Sequence, residues 1–157
     1  MKKQSYTREI VVSADPSMAY RALTQEIDRW WAPQSDVISS VGDQVSFRFP
    51  PTTWTMQVSR LIPGRLIELE CIEANHIYEG APDTIREEWI GTTLIWELEE
   101  VEEQTRIGFV HQGLVPKLDC YEICEAGWDH YFVNELQQYL NKKESAASIE
   151  LTGADAT

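Results

Sequence analysis

"LDCYEICEAGWDHYFVNELQQYLNKK", residues 118–143, is where the hydrophobic period of the chain changes. Leu118, Tyr121, Cys124, Trp128, Phe132, Glu135 or Leu136, and Tyr139 fall on one side of a 3.6-residue period. The spacing predicts one long helix that ends near Lys143. About 25 residues at the helical rise span some ~37 Å, enough to cross a whole small sheet. Gly127 interrupts the run at a cost of up to ~1 kcal/mol relative to Ala. It marks either a kink or a place where the helix backbone comes close to something.

Upstream, the period is two. "SYTREIVVS" alternates Tyr6, Arg8, Ile10 and Val12 against Thr7, Glu9 and Val11, a first strand. Asp15-Pro16 then opens a helix, with Asp as N-cap and Pro at the first helical position. Met18, Ala19, Ala22 and Leu23 are its apolar stripe. "EIDRWWAP" extends it or starts a second short helix, stopped by Pro33. Trp30 and Trp31 then point about 100° apart, one inward and the other over an edge. Strands and turns follow. Trp54, Met56 and Val58 share a face, as do Ile67, Leu69 and Cys71, with Pro63-Gly64 as the turn between. Residues 73–88 lack clean periodicity and read as a long loop, where His76 is expected in solvent. In the last hairpin, Leu94, Trp96 and Leu98 face Ile107, Phe109 and His111. An imidazole thus ends a row of core residues, and is expected at the rim of a cavity.

Six Trp, six Tyr and four Phe in 157 residues, with 43% hydrophobic content, describe one globular domain large enough to bury a core. The expected domain covers residues 1–143, and the small, polar stretch 144–157 reads as a disordered tail. A formal charge of −13 repels phosphate-rich partners, so neither nucleic acid nor an anionic membrane is expected. The basic start runs straight into a strand without the apolar core of a signal peptide, and a cytoplasmic protein is the expectation. Cys71, Cys120 and Cys124 are too few for a disulfide framework. Cys120 and Cys124 are four apart, but the nearest histidine in sequence, His130, points to a different helix face. The chain is accordingly expected to hold no metal and no cofactor.

Strand, helical pair, several antiparallel strands and a long terminal helix resemble the START-like, or SRPBCC, superfamily. The resemblance implies an α+β helix-grip (Bet v 1-like) fold: a curved antiparallel sheet wrapped around the C-terminal helix, with two short helices after the first strand. Within it the chain is similar to the family named after the C-terminal domain of the activator of Hsp90 ATPase. The residues that carry this are Trp30, "WIGTTLIWEL" (89–98), "TRIGFVHQGL" (105–114) and Gly127-Trp128 before an apolar helix. A bacterial single-domain branch shares the GL-x-P…C-Y-x-x-C-x-x-G-W pattern that runs from Gly113 to Trp128. The eukaryotic activator carries a further N-terminal domain that binds the chaperone, for which this chain has no room. An Hsp90-type chaperone is therefore not among the expected partners.

Function is expected from a cavity under the terminal helix that takes a small hydrophobic or amphipathic molecule. Candidate ligand-binding residues on the sheet are Trp54, Met56, Leu69, Trp96, Phe109 and His111. The terminal helix adds Tyr121, Cys124 and Trp128, and the segment before the sheet adds Trp30. The bland alternative is that all ten fill a solid core. An enzyme of cyclase or hydratase type would use His111 as acid or base. No nucleophile–base–carboxylate set is legible beside it, so no catalytic residue is assigned and enzymatic activity is the lesser expectation. A chaperone-associated protein-interaction module is the third reading, and a homodimer is compatible with all three.

Overall fold

The period-two stretches build a seven-stranded antiparallel sheet in the computed structural model, which describes residues 5–142. Its strands are β1 (Tyr6–Val12), β2 (Gln34–Ser35), β3 (Gln44–Phe49), β4 (Thr52–Ile62), β5 (Leu66–Asn75), β6 (Thr93–Val101) and β7 (Gln104–Gln112). The spatial order is β1-β7-β6-β5-β4-β3-β2. All but β1 follow one another as a meander, and β1 closes the far side by pairing with β7, Tyr6 opposite His111 and Val12 opposite Thr105. Two register shifts between β4 and β5, at Thr55/Met56 and Val58/Arg60, insert unpaired residues and bend the sheet. The bend is what lets it wrap a helix.

Between β1 and β2 lie α1 (Pro16–Thr24) and a single 3₁₀ turn (Ile27–Arg29). The Asp15 side chain accepts the Met18 N–H at 2.8 Å, and Pro16 stands at the first helical position, as the sequence required. Both Trp30 and Trp31 are buried, so neither covers an exposed edge. Trp30 donates its indole N–H to the Ala22 carbonyl and stands edge-on to Trp96, which fastens α1 over the sheet.

The chain is helical from α2 (Tyr121–Trp128) through residue 142, starting three residues later than the pattern from Leu118 suggested. Its buried row is Cys124, Trp128, Phe132, Leu136 and Leu140, an unbroken spacing of four. In a regular α-helix each four-residue step drifts about 40°, so Leu140 would end nearly opposite Cys124. The helix avoids this by widening into π-type turns over Asp129–Leu136, which keep the row on the sheet. Tyr121 and Tyr139 flank that row instead of belonging to it. On the β1 side, Arg8 lies over the Tyr6 ring and pairs with Asp129 (2.9 Å) and Glu125 (3.3 Å), while the Tyr6 hydroxyl donates to Asp129. Among the described residues no helix is long and apolar enough to cross a membrane. The tail expected over 144–157 lies outside the described residues.

Candidate functional site

His111 is completely buried, and both ring nitrogens are engaged. The Trp128 indole N–H can only donate, so His111 Nδ1, 3.1 Å away, accepts from it. The proton of the neutral ring therefore sits on Nε2 and donates to Thr92 Oγ1 at 2.8 Å. The Thr92 hydroxyl in turn donates to the Trp89 carbonyl at 2.7 Å. This one-way chain ties the helix, the β7 end and the segment before β6 together. Burial pushes the imidazole pKa down to about 3. Protonation would also set two N–H groups against each other at Nδ1. The close approach needs Gly113: its φ is +99°, and a Cβ there would lie 2.9 Å from Thr92 Cγ2.

The expectation that His111 stands at the rim of a cavity is thus corrected. Beneath the middle of the helix the core is filled. Trp96 and Phe109 stack at 4.9 Å, and Phe109 packs against Trp128 (4.6 Å) and Phe132 (5.1 Å). Trp30, Met56, Leu69, Trp96, Phe109 and His111 all belong to this solid part, and none lines the pocket described next.

The open space lies at one end of the grip, where α2 faces the β3–β4 hairpin and the segment after β5. It is a pocket of about 300 Å³. The hairpin contributes Phe49, Pro50, Pro51, Thr52 and Trp54; the β5–β6 segment His76, Ile77, Tyr78 and Trp89; the helix Ile123, Cys124, Gly127, Trp128 and Tyr131; Trp31 completes the wall. Four indoles close into a ring: Trp54 on Trp89 (4.2 Å, 16° between planes), Trp89 on Trp128 (6.0 Å), Trp128 on Trp31 (4.7 Å) and Trp31 on Trp54 (5.9 Å). Of the ten residues expected at a ligand, the structure brings Trp54, Cys124 and Trp128 to this pocket. Tyr121 is half-buried on the outer side of α2, its hydroxyl 3.4 Å from Glu125.

Gly127 is on the pocket wall for a physical reason. A Cβ built there meets nothing within 4 Å, so the missing side chain is part of the void. It does not admit a close neighbour. Trp31, Trp89 and His76 escaped the sequence reading. His76 lies in the stretch without periodicity, which the structure resolves into the end of β5, a 3₁₀ helix (Asp83–Glu87) and turns, and Trp89 directly follows it. The one available signal was a Trp, the largest apolar side chain, in an otherwise polar segment just before a turn glycine.

His76 is 5% exposed, not solvated, and sits edge-on to Trp54 at 5.1 Å. Burial lowers its pKa, and its Nδ1 is buried without a hydrogen-bond partner. Trp54 Nε1 is likewise buried and unpartnered. The Trp89 indole N–H donates to Cys124 Sγ at 3.2 Å. Ligand atoms of His76, Cys120 and Cys124 lie within 4.8 Å of one another. The imidazole that accompanies the two thiols is therefore His76, 44 positions before Cys120, and not the nearby His130. All three cysteines are free thiols. The Cys120 thiol is pushed up by its hydrogen bond with Cys124 and by burial, and Cys71 is pushed up to about 12, chiefly by burial. Neither is poised as a nucleophile.

The family model for "Activator of Hsp90 ATPase homolog 1-like protein" matches residues 13–141. No curated protein matches the chain. Among solved structures, the chain is similar to the Aha1 dimer from Colwellia psychrerythraea, at 25% identity and a TM-score of 0.70 over 88% of this chain and 96% of that one. Protein MLL2253 from Mesorhizobium loti matches at 19% identity with a TM-score of 0.71, over 88% and 98% of the two chains. CalU16 from Micromonospora echinospora shares the fold at 17% identity and a TM-score of 0.61, over 97% of this chain and 88% of that one.

Proposed function

The chain belongs to the family of activator of Hsp90 ATPase homolog 1-like proteins, and from that premise we propose that it binds a small amphipathic molecule in the indole-lined pocket. The observation that carries this is the pocket itself: about 300 Å³ of aromatic-walled space beside the packed rings of Trp96, Phe109 and Phe132. That volume is at the lower end of the ~300–1,000 Å³ usual for ligand sites. A solid-core reading does not explain why a glycine stands where a larger residue would fill the void and favour the helix. Trp54 Nε1 and His76 Nδ1, atoms of two wall residues, are also buried without partners, as Trp96 Nε1 is in the packed core, at a cost of ~1–3 kcal/mol each. A ligand with a flat apolar body fills the void and lies on the indole faces, and a hydrogen-bond acceptor on it takes the Trp54 N–H.

His111 does not support an acid–base enzyme. Both nitrogens are used within the protein, and the ring is sealed from the pocket. The Colwellia structure is described as a dimer, and a homodimer of this chain is compatible with the proposed role.

The test is a titration with 1-anilinonaphthalene-8-sulfonate, an aromatic amphiphile, on the native protein and on Gly127→Leu. Leu fills the void without replacing any other residue of the wall. The native protein should bind one probe with strong fluorescence enhancement, and Gly127→Leu should lose at least ~90% of it while melting no lower. Equal binding by both proteins, or none by the native one, would refute the proposal.

A further inference from the structure

We propose that His76, Cys120 and Cys124 form a zinc site in the wall of the aromatic pocket. The three come from two separate parts of the chain: His76 just beyond the end of β5, and the two cysteines at the start of the terminal helix. The fold nevertheless gathers one ligand atom from each within 4.8 Å. A tetrahedral zinc ion with ordinary Zn–S and Zn–N bonds sets its ligands about 3.5–3.8 Å apart. Convergence on an ion therefore asks only for side-chain adjustment. Two thiolates and one imidazole are a donor set that suits zinc, and soft sulfur disfavours magnesium or calcium.

Two further observations point to a ligand here. His76 is 5% exposed and its Nδ1 has no partner, which leaves a buried lone pair or N–H unsatisfied in the protein alone. The Cys124 sulfur is also placed to be held as a thiolate. Trp89 aims its indole N–H at Cys124 Sγ, 3.2 Å away, and a negatively charged sulfur accepts such a bond far better than a thiol. Glu88 holds the first turn in place, its carboxylate accepting the backbone N–H groups of Cys120 (2.9 Å) and Asp119 (3.0 Å). On binding, each thiol releases its proton to solvent and gives an electron pair to the metal. The two thiolate charges then cancel that of Zn²⁺, so the buried centre is neutral before Glu88 is counted.

Three protein ligands leave a tetrahedral ion one further position. His76 and Cys124 both line the pocket, so that position is reached from the pocket side. An amphipathic molecule with a carboxylate, hydroxyl or thiol could take it. The zinc proposal does not rest on the ligand proposal.

The experiment uses the full chain, reduced and stripped with a strong chelator, then titrated with Co²⁺ followed by Zn²⁺. The native protein should take up a single Co²⁺ with thiolate-to-cobalt charge-transfer absorption and the intense visible bands of a four-coordinate ion, and Zn²⁺ should displace it. Cys120→Ser, Cys124→Ser and His76→Gln should each weaken Zn²⁺ binding by about tenfold or more. Cys71→Ser, which alters a thiol bonded to the Glu73 carbonyl instead, should leave it unchanged. Circular dichroism should show each variant folded. Lack of stoichiometric Co²⁺ uptake by the reduced native protein would overturn the proposal, as would uptake that survives in a folded Cys120→Ser/Cys124→Ser double variant. A Cys120–Cys124 disulfide whose reduction restores no metal uptake would overturn it in favour of a simple dithiol. Binding of 1-anilinonaphthalene-8-sulfonate to the double variant separates the two ideas: retained binding upholds the pocket whatever the metal result.

Discussion

Acidification should destabilise this protein through His111, and replacing that one residue should remove the effect. The unfolded imidazole titrates near ~6.5, whereas in the fold burial pushes its pKa down to about 3. A depressed histidine pKa means that the unfolded chain takes up the proton first. The stabilising contribution is therefore complete above about pH 6.5 and is lost as pH falls toward 3. Between about pH 7 and pH 5 the unfolded state gains about 2 kcal/mol from protonating this ring, while the folded state gains almost nothing. His76, whose pKa burial also lowers, acts with the same sign and has to be separated. His111→Gln does so. Gln offers an acceptor to Trp128 and a donor to Thr92, without a proton to gain in this range. Urea denaturation of both proteins at the two pH values should show the native protein losing about 2 kcal/mol more than His111→Gln. Equal losses would mean that His111 is reached by protons in the fold, and the sealed one-way chain would be wrong.

Other substitutions probe the packing. Trp96→Ala should cost ~3–5 kcal/mol in urea denaturation because the side chain is fully buried against Trp30, Phe109 and Trp128. Gly113→Ala should cost more than ~1 kcal/mol, since the left-handed backbone and the contact with Thr92 both oppose a Cβ; full stability would show that the turn can move. Glu102 and Glu103 hold positive φ (51° and 67°) in the two-residue β6–β7 turn, so replacing them with Asn-Gly should raise stability by ~0.5–1 kcal/mol, read as a higher urea midpoint.

The fold was legible in the sequence because it is written in two periods. Alternation along Leu94-Trp96-Leu98 and Ile107-Phe109-His111 placed each of these side chains on the buried face. The Asp15-Pro16 cap and the terminal helix were equally plain. Periodicity reports which side of an element faces the core, but not whether the core is filled at that point. Hence Trp96, Phe109 and His111 faced the right way yet lie in solid packing, while the void opened around Trp54, Cys124 and Trp128 at one end. His76 was expected in solvent and is buried, and nothing in the local pattern put Trp89 at the pocket. Their positions follow from how an aperiodic segment folds back across the sheet end, which local patterns do not encode. The helix misled in a finer way: the buried row steps by four, and only the widened turns of Asp129–Leu136 reconcile that with a straight seam.

The six tryptophans offer the most direct test of the pocket as a ligand site. Each gives its own indole N–H resonance in an ¹⁵N-resolved NMR spectrum. Trp31, Trp54, Trp89 and Trp128 line the pocket, whereas Trp30 and Trp96 do not. Titration with 1-anilinonaphthalene-8-sulfonate should move those four signals, because their rings line the pocket. The Trp30 signal, held on the Ala22 carbonyl, and that of Trp96 should stay nearly still. A spectrum in which no indole moves, or in which Trp30 and Trp96 move as far as Trp54, would contradict the account.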